Sequence, residues 1–357
     1  MSRFLVVFGG YGKGGTSGAE RMGWRTTEAL RLRGHQVRVL TDAEPPEETL
    51  HREYRLFRTE DEVIRAGERP DVVHAYDLAR PEQVATALRL ADKWEAPFVL
   101  TPASEPRLWP DLGLGRGACR AARALYTLTA AEADAVRSFG AVPERIRPLP
   151  QAPDLVGDPR PAAFRQRHRL GGRVVLFLGR KTRTKGCDVL LDAAPLVWRT
   201  APDTVFLFAG PDTEAPVAEA IRTHPDARVR DVGLLDEQTK HDALAACDIV
   251  CLPSSADVFP LVFAEAWACG KAVVTGDFPG VHEVVHDGVD ALVAPVRPAD
   301  VADALLGLLT DDARRTALGD AGRGRVRRGM TWDAVAAAVE AGLPAGDGAI
   351  DMKRGTR

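Results

Sequence analysis

Short apolar runs alternate with longer amphipathic stretches along this chain, and the alternation runs twice. In the first half, Phe4–Phe8, Gln36–Leu40, Asp71–Ala75, Phe98–Thr101 and Ala124–Leu128 read as strands. Thr16–Arg33, Pro81–Trp94 and Ala130–Phe139 read as helices, the first ended by Gly34. The pattern restarts near Arg173. Val174–Leu178, Thr204–Ala209, Val229–Val232, Ile249–Leu252 and Ala272–Thr275 read as strands. Cys187–Arg199, Ala215–Thr223, Asp236–Ala246, Phe263–Cys269 and Val301–Thr310 read as helices. Such alternation builds parallel α/β layers. A chain of 357 residues is too long for one typical core and fits two. Pro148–Arg169, rich in proline and charge, suits the connection between them, and its Arg165–Arg169 run reads as a solvated helix face. The expected fold is α/β, with two Rossmann-like domains over residues 1–160 and 161–335. The end of a helix and a mobile tail are expected over 336–357. Two such units facing each other bring the carboxyl ends of both sheets to one cleft, where ligands bind.

Composition narrows the classes. A net charge of −3 gives no global reason to bind nucleic acid or an anionic membrane. Five cysteines without a CxxC pair read as buried, reduced thiols. Cys247 and Cys251 stand four apart, but the Ile249–Leu252 run reads as strand, which argues against a metal face, and no metal is expected. No leader is visible, and no run approaches the ~20 apolar residues of a spanning helix. A soluble, cytoplasmic protein is expected, with peripheral membrane contact and homodimerisation left open.

The motifs fall at strand ends. Asp257-Val-Phe-Pro-Leu-Val-Phe-Ala-Glu-Ala-Trp-Ala-Cys-Gly270 places carboxylates, Asp257 and Glu265, on either side of a loop that opens a helix. A helix N-terminus is a seat for a diphosphate, and the flanking acids suit sugar hydroxyls. Arg180 and Lys185 lie in the turn Gly179–Gly186, where two cations would neutralise a leaving diphosphate; a solvated basic turn is the plainer reading. The loop Gly9–Glu20 is glycine-rich without being a Walker loop. Gly210–Thr213 and Asp231–Leu234, with Gly210 and Val232, are candidate edges of a base pocket or ordinary turns. Phe278–Glu283 is a turn followed by an acid. His74 ends a buried strand, either facing the cleft or held in the core. Arg116, Arg120 and Arg123 form one helical face, solvent-exposed or, less readily, a membrane or acceptor patch. No catalytic triad, zinc spacing or paired-acid glycosidase pattern is present.

Together, Arg180-x4-Lys185-Gly186, Asp257-x7-Glu265 and Pro279-Gly-Val-His-Glu283 resemble the GT-B retaining glycosyltransferases of family 4. Gly18-Ala-Glu-Arg21, Arg33-Gly-His35, Pro70–Ala75, Pro143–Arg147 and Gly288–Val293 extend the likeness over nearly the whole chain. The resemblance implies that Arg180 and Lys185 grip a donor diphosphate, Glu265 binds ribose and Asp257 holds donor-sugar hydroxyls. Amides near Phe259 and Leu261 would cap the phosphate, with Gly14 and Gly15 approaching from the other domain. It implies a nucleoside-diphosphate sugar as co-substrate, UDP or GDP, and no cofactor or obligatory metal. The leaving phosphate would help deprotonate the acceptor, and domain closure would exclude water.

Some positions depart from the family pattern. Asp257 stands where a glutamate is usual, about one methylene shorter. Ala103 and Tyr76 stand where histidines are common, and Gln151-Ala-Pro-Asp154 replaces Asn-Gly-x-Asp. These changes place His74, Tyr76, Ser104 and Glu105 on an unusual acceptor side and point to a small polar or natural-product acceptor. The alternatives are a cell-envelope lipid or glycan acceptor, a catalytically silent nucleotide-sugar-binding paralogue, and an oxidoreductase. The last is disfavoured because strand one is not followed by a G-x-G-x-x-G dinucleotide loop.

Overall fold

A computed structural model of the chain describes residues 1–10, 17–45 and 55–343. Seven strands form the first sheet: β1 (Arg3–Val7), β2 (Gln36–Leu40), β3 (Arg55–Phe57), β4 (Val72–Tyr76), β5 (Phe98–Thr101), β6 (Ala124–Thr127) and β7 (Ile146–Pro148). Six form the second: β8 (Val174–Leu178), β9 (Val205–Ala209), β10 (Val229–Gly233), β11 (Ile249–Leu252), β12 (Ala272–Gly276) and β13 (Leu292–Ala294). Their orders are β3-β2-β1-β4-β5-β6-β7 and β10-β9-β8-β11-β12-β13, with every pairing parallel. The strand order reverses between β1 and β4, and again between β8 and β11. Open α/β sheets leave a crevice at such a switch point. The central strands are apolar on both faces because helices cover both: Phe4–Val7 and Val174–Phe177 are essentially inaccessible.

The expected fold, two Rossmann-like units facing each other in a GT-B arrangement, is the fold observed. Several elements were not expected: β3, β7 and helices Glu60–Ala66 and Asp312–Gly329; the helix end expected from residue 336 belongs to helix Trp332–Gly342. Helix Asp312–Gly329 carries charge on most of its surface, and it docks through glycine. A Cβ on Gly319 would lie 2.2 Å from the carbonyl oxygen of Gly270, and one on Gly322 would lie 2.0 Å from Trp267 Cδ1. Backbone approach rather than an apolar stripe holds it in place. Helix Trp332–Gly342 returns to the first unit. It buries Val335, Ala336 and Val339 there, Tyr126 Oη donates to the Val339 carbonyl at 2.7 Å, and Arg33 and His35 both bond Glu340 at 2.7 Å. The expected helix Phe263–Cys269 begins two residues earlier, at Leu261, because Pro260 supplies the extended entry (φ −66°, ψ 108°). Arg165, expected on a solvated face, instead donates to the carbonyls of Ala246 and Gly172. The tail beyond residue 343 lies outside the described residues.

Candidate functional site

The carboxyl ends of both sheets open into one cleft of about 490 Å³. Its C-terminal wall is built by turn 179–186, by Gly210 and Pro211 after β9, by Leu234 and Leu235 after β10, and by segment 256–265 after β11. Its N-terminal wall comes from Ser17–Ala19, Arg21, Met22, Asp77, Ala79, Ala103–Glu105, Leu108 and Leu128. The units touch: a Cβ on Gly18 would lie 3.7 Å from Leu261 Cδ1.

Turn 179–186 is shaped by its own residues. Thr182 Oγ1 accepts the Lys185 N–H at 3.3 Å, and Gly186, in the left-handed region (φ 72°), ends the turn against the Pro253 carbonyl. Lys185 Nζ thereby pairs with the Asp257 carboxylate across the cleft floor. Arg180 stands exposed at the rim. Helix Leu261–Ala268 opens into the cleft with no side chain capping it, and its first residues, Leu261 and Val262, line the same space as Lys185. Gly210 (φ 128°) has no room for a side chain, since a Cβ would fall 2.0 Å from the Gly179 carbonyl. That contact keeps this edge of the cleft low.

Arg180, Lys185, Asp257, Glu265, Gly210, Phe259 and Leu261 all line this cleft, as do Ser104 and Glu105 opposite. Three expectations differ. Val232 packs against the second core, and Leu234 and Leu235 supply the wall at that strand end. His74 and Tyr76 are wholly buried and stacked on each other at 4.3 Å, with His74 Nε2 bonded to Thr101 Oγ1 at 2.9 Å. Burial lowers the His74 pKa to about 3, so the imidazole is a neutral core residue. Every residue of β4 is buried, so reaching the end of the strand did not bring His74 into the cleft. Gly14 and Gly15 lie outside the described residues.

Other residues join the site without a clear sequence signal. Lys181, next to Arg180, is fully buried and paired with Asp212 at 2.7 Å and Asp231 at 2.6 Å. The acids that close β9 and sit in β10 thus pin the cationic turn. Glu265 accepts from Lys240 Nζ at 2.8 Å, which also donates to the Asp154 carbonyl at 2.8 Å and lies 2.8 Å from Glu237. Arg21 pairs with both Asp154 and Glu237, and Arg25 binds Asp154 at 2.5 Å. Arg21 and Asp154 stood in family-like segments, whereas nothing in the sequence marked Lys240. Burial raises the Glu265 pKa, and Lys240 opposes that rise. Among the described residues no three His, Cys, Asp or Glu side chains are grouped to hold a metal ion. No helix there is long and apolar enough to cross a membrane.

Residues 16–155 match the family described as Glycosyltransferase Family 4, and residues 172–311 match Glycosyl transferases group 1. The phosphatidyl-myo-inositol mannosyltransferase of Mycobacterium leprae (strain TN) is 30% identical over 351 residues, covering 87% of this chain and 88% of that protein. The chain belongs to glycosyltransferase family 4. The D-inositol 3-phosphate glycosyltransferase of Xylanimonas cellulosilytica is 34% identical over 284 residues, covering 70% of this glycosyltransferase and 66% of that relative. A glycogen synthase of Mycobacterium tuberculosis is 30% identical over 334 residues, with 85% and 79% covered. Among solved structures, Anabaena Alr3699/HepE in complex with UDP-glucose superimposes with a TM-score of 0.79 at 19% identity, covering 96% of this enzyme and 99% of that chain. That likeness shows the fold. The two matched blocks of the glycosyltransferase flank the proline-rich connection. The relatives are named for different acceptors, so family membership alone does not fix the acceptor.

Proposed function

We propose that this glycosyltransferase moves a sugar from UDP-sugar or GDP-sugar to a small polar acceptor with retention at the anomeric carbon. One observation carries the reading: Arg180, Lys185 and the open N-terminus of helix Leu261–Ala268 converge on one wall of the interdomain cleft, beside Asp257 and Glu265. Two cations and a row of amides suit a diphosphate, a ligand that neutral sugar sites do not need. In this reading Glu265 takes the ribose hydroxyls, Asp257 the sugar hydroxyls, and Leu234 and Leu235 flank the base. The C1–O bond to the diphosphate breaks, the acceptor oxygen bonds C1 on the same face, and its proton passes to the leaving phosphate. Arg180 and Lys185 stabilise the charge that builds on that phosphate. Ser104 and Glu105 face the acceptor, while His74 and Tyr76 support that wall from behind. A small acceptor and a cytoplasmic location are part of the proposal.

A thermal-shift panel of UDP-, GDP-, dTDP- and ADP-sugars tests the donor half. A nucleotide at 100 times its dissociation constant adds about 2.7 kcal/mol of stability. No shift with any of them would overturn the reading. NMR of the product's anomeric signal tests retention.

A lipid-linked acceptor is the second reading. Leu108, at the cleft, and Leu112 are about half exposed beside the solvent-facing Arg116 and Arg120. Sedimentation with anionic liposomes would favour it, and protein left in solution would count against it. A silent nucleotide-sugar-binding paralogue is tested by donor hydrolysis that disappears in Lys185→Ala, which would rule it out.

A further inference from the structure

Lys240 breaks a local rule. It lies in the first turn of helix Glu237–Ala246, four residues after the Asp236 cap, where the helix dipole disfavours a cation. It is also largely withdrawn from water, its side chain 14% exposed, although lysine is seldom buried unless paired. A residue placed against two local preferences is held there by something else.

Its surroundings show what holds it. Nζ lies 2.8 Å from each of three oxygens, and each belongs to a different part of the molecule. Glu265 Oε1 is on the donor wall of the cleft. The Asp154 carbonyl is in the chain that links the two sheet units. Glu237 is on the helix of Lys240 itself. From Asp154 and Glu237 the charges continue into the first unit, to Arg21 and Arg25 of helix Gly18–Leu32. Lys240, Arg21 and Arg25 thus join Asp154, Glu237 and Glu265 in one mostly buried group, and Lys240 is the member that reaches the donor wall.

We propose that Lys240 is a positioning residue for the donor: it keeps Glu265 ionised and aimed into the cleft, and its bond to the Asp154 carbonyl ties that acid to the chain linking the two units. This rests on the reading of Glu265 as the ribose contact. A carboxylate accepts hydrogen bonds from both ribose hydroxyls, whereas a protonated carboxyl is itself a donor and accepts less well. Burial favours the protonated form of Glu265. Lys240 opposes burial directly, while Asp154 and Glu237 push the same way as burial. Arg21 lies one step further out, Cys269 ends the helix of Glu265, and Arg323 of helix Asp312–Gly329 is occupied by the Cys269 carbonyl. Lys240 is therefore the cation in direct contact with this acid.

The test is calorimetric binding of UDP and GDP over a series of pH values from acid to mildly alkaline, because a raised carboxyl titrates above the usual carboxylate range. Wild type, Lys240→Met, Lys240→Arg and Glu265→Gln are compared. Without the ammonium, burial acts unopposed and Glu265 protonates at a higher pH. Lys240→Met then binds roughly ten- to a hundredfold more weakly at the acid end and recovers as pH rises. Lys240→Arg stays within a few-fold of wild type, and Glu265→Gln is weak at every pH. Should Lys240→Met fail to fold, Lys240→Gln keeps a hydrogen-bond donor without the charge and reads the same pH dependence. Unchanged affinity in Lys240→Met, or equal losses in the Met and Arg variants at every pH, would overturn the proposal. Wild type that binds neither nucleotide would overturn the donor reading beneath it. Wild-type binding in Glu265→Gln would remove the ribose assignment, and the proposal with it.

Discussion

Glu283 Oε1, in the second sheet unit, accepts the backbone N–H of Ala131 in the first unit at 3.1 Å. Its other oxygen takes the N–H of Ala130. Both amides open helix Ala130–Ser138, so a carboxylate from one unit caps the positive end of a helix in the other. Gly280 allows the approach: a Cβ there would lie 3.1 Å from the Ala131 Cβ and would sit on a left-handed backbone (φ 85°).

This contact should act as a latch on the closed cleft. Glu283→Ala is expected to lower turnover several-fold and to enlarge the molecule in solution scattering. It should cost no more than about 1 kcal/mol of unfolding stability, the usual worth of a cap. An unchanged scattering profile with unchanged kinetics would remove the latch.

Arg180 and Lys185 make a separable pair. Arg180→Ala is expected to reduce kcat/KM by about 2–4 kcal/mol of transition-state stabilisation, mostly in kcat, because diphosphate charge peaks as the bond breaks. Lys185→Ala also leaves Asp257 without its ion pair and should weaken donor binding as well. Steady-state kinetics with donor varied separates the two. Wild-type turnover in Arg180→Ala would refute its role.

Lys181 should behave unlike its neighbour. Its ammonium is buried between Asp212 and Asp231, and the contact holds Asp212 below the usual carboxylate range. Lys181→Met strands Asp231, while Asp212 keeps Arg222 at 2.6 Å, and is expected to cost about 3 kcal/mol of stability, since removing one partner of a buried pair leaves the other uncompensated. Denaturant unfolding measures it. A loss below about 1 kcal/mol would mean that the pair is solvated.

Glu132 sets a pH dependence. Burial raises its pKa from 4.5 to about 8, while the Leu128 N–H bonded at 2.7 Å pulls the other way. The folded state therefore holds a proton that the unfolded state has released between those values. Its stabilising contribution is complete below the unfolded value and is lost as pH rises toward about 8. The stability of wild type relative to Glu132→Gln should fall steadily across that window. A difference flat in pH would show that Glu132 stays ionised throughout.

Much of the fold could be read from the order of residues. The strands Val174–Leu178 and Ile249–Leu252 lie where short apolar runs placed them, because a strand covered on both faces must be apolar throughout. That Arg180, Lys185, Asp257 and Glu265 would share one wall of the cleft was equally readable, because they come from short segments whose ends stay together wherever a strand meets a helix. Helix Asp312–Gly329 was not legible, since glycine contacts leave no periodic stripe. His74 and Val232 show the same limit within a single strand. Alternation gives the register, but whether the end residue meets the cleft or the core depends on what packs over it. Lys240 is the clearest case. Its partners Glu265 and Asp154 stand 25 and 86 residues away in the chain, so the contact exists only once the chain has folded. The sequence by itself determined the two parallel sheets and the local geometry of each strand-end turn, because hydrophobic period and turn chemistry act over a few residues. The tertiary structure alone decided which charges share one buried group between the units, because ionic pairing is set by distance in space.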